Sequence, residues 1–297
     1  MDDLPPPIEA SLADLPSAVR GVLGAAPQAI DPGQRSVTEA AGIAFASISW
    51  GEPSGRPLVL LHGVTASARI WWRVGPALAA SGRRVVALDL PGHGLTGHWA
   101  GHHRFRDNAA DVAAWIRAAG LDDPEVQIVG HSWGAMTAAA LPAVGIRPAT
   151  LVLLDPPAIP LALIARVAND PTELPGPDLE STVADITREH PAWTPGDVLA
   201  KAEALMQLDV AAARAIVLEN GDWDGGLAGL SDPAADGIPT WIIRGDPAAG
   251  GFVSDAALPG LAARVGAAHI LTLAGAPHAP QRLFPEATAL ALLRALD

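Results

Sequence analysis

Cysteine is absent from this sequence. Disulfides, thiolate metal sites and a cysteine nucleophile are therefore excluded, although the absence fits any compartment. Charge is also scarce, with 17% charged residues against 49% hydrophobic ones. That balance supports a large core and opposes disorder. Basic residues are the scarcer sign. The net charge of −13 works against binding nucleic acid or an anionic membrane through bulk electrostatics. No apolar run reaches the roughly 18 residues needed to cross a bilayer, because Pro, Gly or Arg breaks the longest candidates. The opening, Met1-Asp2-Asp3-Leu4 and three prolines, has neither the basic start nor the apolar stretch of a secretory signal. A cytoplasmic location and a small-molecule substrate are expected, with no nucleic-acid or membrane partner. Oligomeric state is not readable.

The 297 residues suit one large α/β domain with an insertion. Residues 1–40 are read as an N-terminal extension, rich in Pro and Ala as far as about Arg35, that drapes over the core. Ile43 to Trp50 is rich in β-formers and ends at Gly51, so it reads as one arm of an opening antiparallel hairpin. Short, wholly apolar runs follow at Leu58–Leu61, Arg84–Leu88, Val126–Val129, Leu151–Leu154, Trp241–Ile243 and Ile270–Leu273. Runs of this kind suit strands buried on both faces of a parallel sheet. Helical patterns lie between them: Val112, Trp115 and Ile116 share a face, and Ala287–Leu296 reads as a C-terminal helix. Strand–helix alternation predicts a doubly wound α/β sheet, whose ligand site lies at the carboxyl ends of the strands. The Gly-rich and polar residues cluster at those ends.

From Pro156 to Gly237, roughly 80 residues pass without a convincing buried strand. Here Val210, Ala213, Ile216 and Val217 share one helical face, and Leu199, Ala202 and Leu205 another. Residues 156–236 are read as a helical lid inserted into a core of 41–155 and 237–297.

The strongest motif is Gly130-His131-Ser132-Trp133-Gly134, which follows a predicted strand and opens a predicted helix. That setting is the condition for a nucleophile elbow. Ser132 must sit on a sharp turn so that its hydroxyl projects above the sheet, and flanking glycines remove clashing Cβ atoms. A serine hydroxyl needs a base at neutral pH. His278 fits, standing just past the last strand and before the last helix. His131 is expected to point away from the elbow, and His269 to lie inside a strand. Two amides are needed to hold an oxyanion. Trp133 N–H follows the nucleophile, and Val64 N–H comes from the loop after Leu58–Leu61. Asp246 and Asp155 both end strands, precede His278 and are followed by Pro, so either can orient the imidazole. Asp255 reads as part of a helix start. His93, His98, His102 and His103 match no metal-site spacing and read as a polar loop near the rim. Trp71, Trp72, Trp99, Trp193 and Trp223 read either as core and lid packing or as an aromatic pocket.

On Leu61-His62-Gly63, Asp89-Leu90-Pro91-Gly92-His93-Gly94, Gly130-His131-Ser132-Trp133-Gly134 and Gly275-Ala276-Pro277-His278, the chain resembles the α/β-hydrolase superfamily over nearly everything after residue 40. It looks like the lidded, serine-nucleophile branch of esterases, lactonases and C–C bond hydrolases. The resemblance implies an eight-stranded, mostly parallel sheet with one antiparallel strand near its start. It implies no cofactor and no metal. Serine at the elbow disfavours the dehalogenase and epoxide-hydrolase chemistries, which place Asp there. After Gly245 the chain departs from the family: many relatives carry the acid three residues later, where Ala248 stands. Pancreatic-type lipases use an Asp in a Leu-Asp-Pro context, similar to Leu154-Asp155-Pro156. Asp246 is ranked slightly ahead of Asp155. The expected function is cleavage of a carboxylic ester or lactone through an acyl-enzyme. The alternatives are a C–C hydrolase, a cofactor-free lyase or perhydrolase on the same triad, and a non-catalytic receptor.

Overall fold

The wholly apolar runs become strands whose two faces are both covered, so neither side needs the polar alternation of a half-solvated sheet. The computed structural model describes residues 4–97, 101–167, 169–226 and 237–297. Met1–Asp3, His98, Trp99 and the last part of the expected lid, 227–236, lie outside the described residues. In chain order the strands are β1 (Gln34–Ala40), β2 (Ile43–Trp50), β3 (Arg56–Leu61), β4 (Arg83–Leu88), β5 (Gln127–His131), β6 (Thr150–Leu154), β7 (Ala158–Ile159), β8 (Trp223–Asp224), β9 (Thr240–Arg244) and β10 (Ile270–Thr272). Eight of them form one sheet in the order β1-β2-β4-β3-β5-β6-β9-β10. β2 runs antiparallel to both neighbours, and the other pairings are parallel. The expected sheet is therefore present, and every apolar run named above falls in or against one of its strands.

Helices cover both faces. α1 (Ser17–Leu23) and α2 (Val74–Ala79) lie on one side; α3 (Phe105–Ala118) and α4 (Trp133–Ala140) lie on the other. Along β3 the side chains alternate between two cores: Val59 and Leu61 join Val112, Trp115 and Ile116 of α3, whereas Leu58 and Leu60 join Leu78 of α2. An insertion between β6 and β9 carries α5 (Leu161–Val167), α6 (Leu179–Glu189), α7 (Pro195–Met206) and α8 (Val210–Glu219). The chain closes with α9 (Leu258–Val265), α10 (Pro280–Leu283) and α11 (Pro285–Leu296). Within the insertion, Val198, Ala202 and Leu205 of α7 pack on Ile186 of α6.

Several local expectations need correction. The extension does not run to residue 40, because β1 pairs along its whole length with β2. Its sequence, Gln-Arg-Ser-Val-Thr-Glu-Ala, is polar because β1 is an exposed edge strand, and no apolar signal marks it. The true extension is pinned at the opposite edge: Ile8 N–H donates to the Thr272 carbonyl at 2.7 Å, and Ala274 N–H to the Ile8 carbonyl at 3.0 Å. Leu199 is off the buried face of α7, at 38% exposed, and Val198 takes its place. Val210 is likewise off the buried face of α8, at 39% exposed. Among its described residues, the stretch after Pro156 adds no strand to the main sheet; β7 and β8 form only a separate two-residue antiparallel pair. His269 ends a 3₁₀ turn just before β10 instead of lying within it.

Candidate active site

At the end of β5 the chain turns sharply into α4. Ser132 occupies that turn with φ 55° and ψ −122°, a left-handed value that costs strain for a residue with a side chain. Close packing holds it there. A Cβ at Gly130 would come within 2.2 Å of the Gly134 carbonyl oxygen, and one at Gly134 within 2.4 Å of the His62 carbonyl oxygen. Ser132 N–H also donates to the Leu154 carbonyl at 3.0 Å, tying the elbow to β6.

The Ser132 hydroxyl lies 2.8 Å from His278 Nε2. On the other side of the ring, His278 Nδ1 lies 2.6 Å from Asp155 Oδ2. The carboxylate accepts, so Nδ1 carries the proton and Nε2 is free to accept from Ser132 Oγ–H. Asp155 is wholly buried. Its carboxylate also accepts from Gly245 N–H and Phe252 N–H, each at 2.9 Å. The ring of Phe252 stacks on His278 at 3.7 Å between centroids.

Asp246, ranked first from the sequence, does not reach His278. Its carboxylate accepts from Ala248 N–H at 2.9 Å and Gly275 N–H at 3.0 Å. Those main-chain bonds lower its carboxyl below the ordinary range. The longer turn after Gly245 commits Asp246 to capping Pro247–Ala249 and delivers Phe252, not a carboxylate, to the imidazole. Asp255 pairs with Arg244 at 2.7 Å.

His131 does not point away. Its ring lies 5.0 Å from that of His278, and Nε2 is 2.8 Å from the His278 carbonyl oxygen, to which it donates. Burial, reinforced by the neighbouring His278, holds His131 neutral by pushing its pKa well below the usual imidazole value. His62 is buried too. Its Nδ1 faces the Gly63 carbonyl at 2.8 Å, and its Nε2 accepts from Leu90 N–H at 2.9 Å. Burial lowers it to about 4. His93 packs between His62 and Trp133 and is lowered to about 3 by burial. His102 instead faces Asp111 at 3.4 Å, and His103 accepts from Gly101 N–H at 3.3 Å. Among the described residues, His93, His102 and His103 do not converge.

The turn that leaves β3 carries Val64, and Thr65 adopts φ 61°. Among the described residues no acceptor takes the amide of Val64 or of Trp133. Lys201 of α7 reaches across from the insertion to this turn. Its ammonium donates to the Thr65 carbonyl at 3.1 Å, to Thr65 Oγ1 at 2.9 Å and to Glu173 at 2.5 Å. Thr65 Oγ1 donates to the same Glu173 oxygen. Burial alone would raise the Glu173 carboxyl, but the Lys201 charge and these hydrogen bonds outweigh it and bring it to about 2.

A cavity of about 310 Å³ opens over these groups. Ser132, His131, His278 and Val64 line it from the core, and Lys201, Ala213 and Trp223 line it from the insertion. Of the tryptophans singled out, only Trp223 reaches it among those described. Trp71 is core, Trp72 donates to Asp197 at 3.0 Å, and Trp193 stacks on His190. Lys201, Glu173, Arg282 and Phe252 carried no sequence signal, because each acquires its place only through contacts between distant segments.

A sequence model described as the alpha/beta hydrolase fold matches residues 56–244. Lipase LipV of Mycobacterium tuberculosis is 33% identical over 234 residues, covering 72% of this chain and 84% of that protein. The dihydrolipoyllysine-residue acetyltransferase component of the acetoin cleaving system of Pseudomonas putida is 34% identical over 132 residues, 44% of this chain. The chain spans only 34% of that relative's length. Among solved structures, the thioesterase domain from the curacin biosynthetic pathway superposes with a TM-score of 0.69 at 24% identity, covering 89% of this chain and 99% of that one. Together with the strand order and the elbow after β5, these matches establish that the chain belongs to the α/β-hydrolase fold family.

Proposed function

We propose that this protein is a serine hydrolase that cleaves a small-molecule carboxylic ester or lactone through an acyl-enzyme. Ser132 is the nucleophile, His278 the general base and Asp155 the acid that orients it. The reading is carried by one observation, the unbroken hydrogen-bond chain from Ser132 through His278 to Asp155 beneath a cavity. Ser132 Oγ attacks the carbonyl carbon while His278 Nε2 takes its proton, and Asp155 stabilises the imidazolium. The Val64 and Trp133 amides hold the oxyanion, supported by their lack of any other acceptor among the described residues. His278 then protonates the leaving alkoxide. A water molecule, deprotonated by the same nitrogen, releases the acid and restores Ser132. Helices α5–α8 form a lid over the site. The lipase activity named for the Mycobacterium tuberculosis relative agrees with acyl transfer.

Fluorophosphonate labelling followed by intact mass tests the proposal. The unsubstituted protein is expected to gain one phosphonyl group, and Ser132→Ala, verified as folded by circular dichroism, none. Undiminished labelling of Ser132→Ala would overturn the assignment.

A further inference from the structure

The charges that line the cavity do not cancel. Lys201 is matched by Glu173 at 2.5 Å, and the remaining pair of liners, Asp170 and Arg214, are of opposite sign. Arg282 is left over, on the short helix α10 that follows His278. Among the described residues no acceptor takes its guanidinium N–H groups and no carboxylate lies within 4.0 Å of them. Its neighbours already have partners: Asp197 is held by Arg73 at 2.8 Å and by Trp72, and Glu173 by Lys201 and Thr65.

Arg282 is nevertheless held in place. Its guanidinium lies over the Trp193 ring at 4.3 Å, and its carbonyl accepts from the Arg73 side chain. A guanidinium stacked on an indole keeps its N–H edge free for a planar anion. The side chain is only partly buried and its nitrogens stay accessible, so an anion entering the cavity can reach the N–H edge without displacing a protein partner. The setting adds contrast: a chain of net charge −13 turns a surplus cation toward the cavity that holds its reactive serine.

We propose that the cavity takes esters or lactones bearing a free carboxylate, and that Arg282 binds that carboxylate. The inference rests on the serine-hydrolase reading only for the bond that is cleaved; carboxylate binding stands apart from it. A bidentate guanidinium–carboxylate contact fixes one end of the substrate while the carbonyl is presented to Ser132.

Two p-nitrophenyl esters of similar length provide the test, one of glutaric acid monoester with its free carboxylate and one of valeric acid. The unsubstituted protein is expected to favour the glutarate ester in kcat/KM by ~10-fold or more, the scale of one charge-assisted contact. In Arg282→Met the ratio should fall toward one, chiefly through KM, and Arg282→Lys should recover part of it. A ratio near one in the unsubstituted protein would overturn the proposal without any variant. So would an Arg282→Met variant that keeps the full ratio. Calorimetric binding of the same two esters to Ser132→Ala separates the two readings. Tighter binding of the glutarate ester that depends on Arg282 sustains carboxylate recognition even where no turnover is found. Equal binding of both esters refutes it even where Ser132 is labelled.

Discussion

Asp155 and Asp246 have the same side chain and similar local sequence, yet their carboxylates do different work. Asp155 has φ 41°, a strained left-handed value, and its buried carboxylate collects Gly245 N–H, Phe252 N–H and the His278 ring. Asp246 lies in extended backbone and spends its oxygens on Ala248 and Gly275. Asp155→Asn is expected to slow acylation by roughly 10⁴-fold, by presenting the wrong imidazole tautomer. Asp246→Asn should leave the labelling rate close to that of the unsubstituted protein. Rates of fluorophosphonate labelling compare the two directly, and the reverse ranking would reassign the acid. The proposed nucleophile and base, Ser132 and His278, are legible in the sequence because a turn geometry and a chain order mark them. The proposed acid is not, because Leu154-Asp155-Pro156 and Gly245-Asp246-Pro247 differ only in where the following loop goes. His131 was misjudged for the same reason: nothing local indicates that the His278 carbonyl comes round to meet its Nε2.

The insertion is fastened to the core at its elements, and one fastening reaches the turn that carries the proposed oxyanion amide of Val64. Asp197 near the start of α7 accepts from Trp72 and Arg73, Arg69 pairs with Glu203 at 3.0 Å, and Asp209 N–H donates to the Gly92 carbonyl. Lys201, also on α7, grips both oxygens of Thr65, next to the amide of Val64. The strained turn after β3 is thus held from above by a helix of the insertion. Lys201→Met is expected to lower kcat for a neutral aryl ester by about 10-fold with KM little changed, less than the roughly 100- to 1,000-fold of losing an oxyanion donor outright, because the Val64 amide stays in place. Lys201→Arg should restore part of it. A fall confined to KM, or to thermal stability alone, would reduce Lys201 to a packing role. The apolar faces of α7 and α8 could be read from spacing only in part. Leu199 and Val210 fit the period but lie at 38% and 39% exposure, because each helix buries a slightly rotated face.

Across the whole molecule, buried neutral histidines give stability a defined pH dependence. His62 and His93 are lowered by burial to about 4 and about 3, and His131 well below its ordinary value. The unfolded chain binds protons at these sites more readily than the folded one. The stability they contribute is therefore complete above about pH 6.5 and is withdrawn as pH falls toward the folded values, by about 1.4 kcal/mol per pH unit for each histidine. Asp89 and Asp111, raised by burial, act in the opposite direction, but the three histidines outnumber them. Urea midpoints should stay nearly level from pH 7.5 to about 6.5 and decline below that to pH 5, and a profile flat throughout would contradict the account. The sheet was legible because its central strands are apolar throughout; β1 was not, since an edge strand facing water carries the composition of a loop. The far edge is managed differently. With Ile8 bridged to Leu273, the Thr272 carbonyl and the Ala274 amide on that border are already occupied. The segment around Ile8 thus acts as a partial stopper on this border: without it, the Thr272 carbonyl and the Ala274 amide would stand bare, a template on which a second molecule could add its own strand.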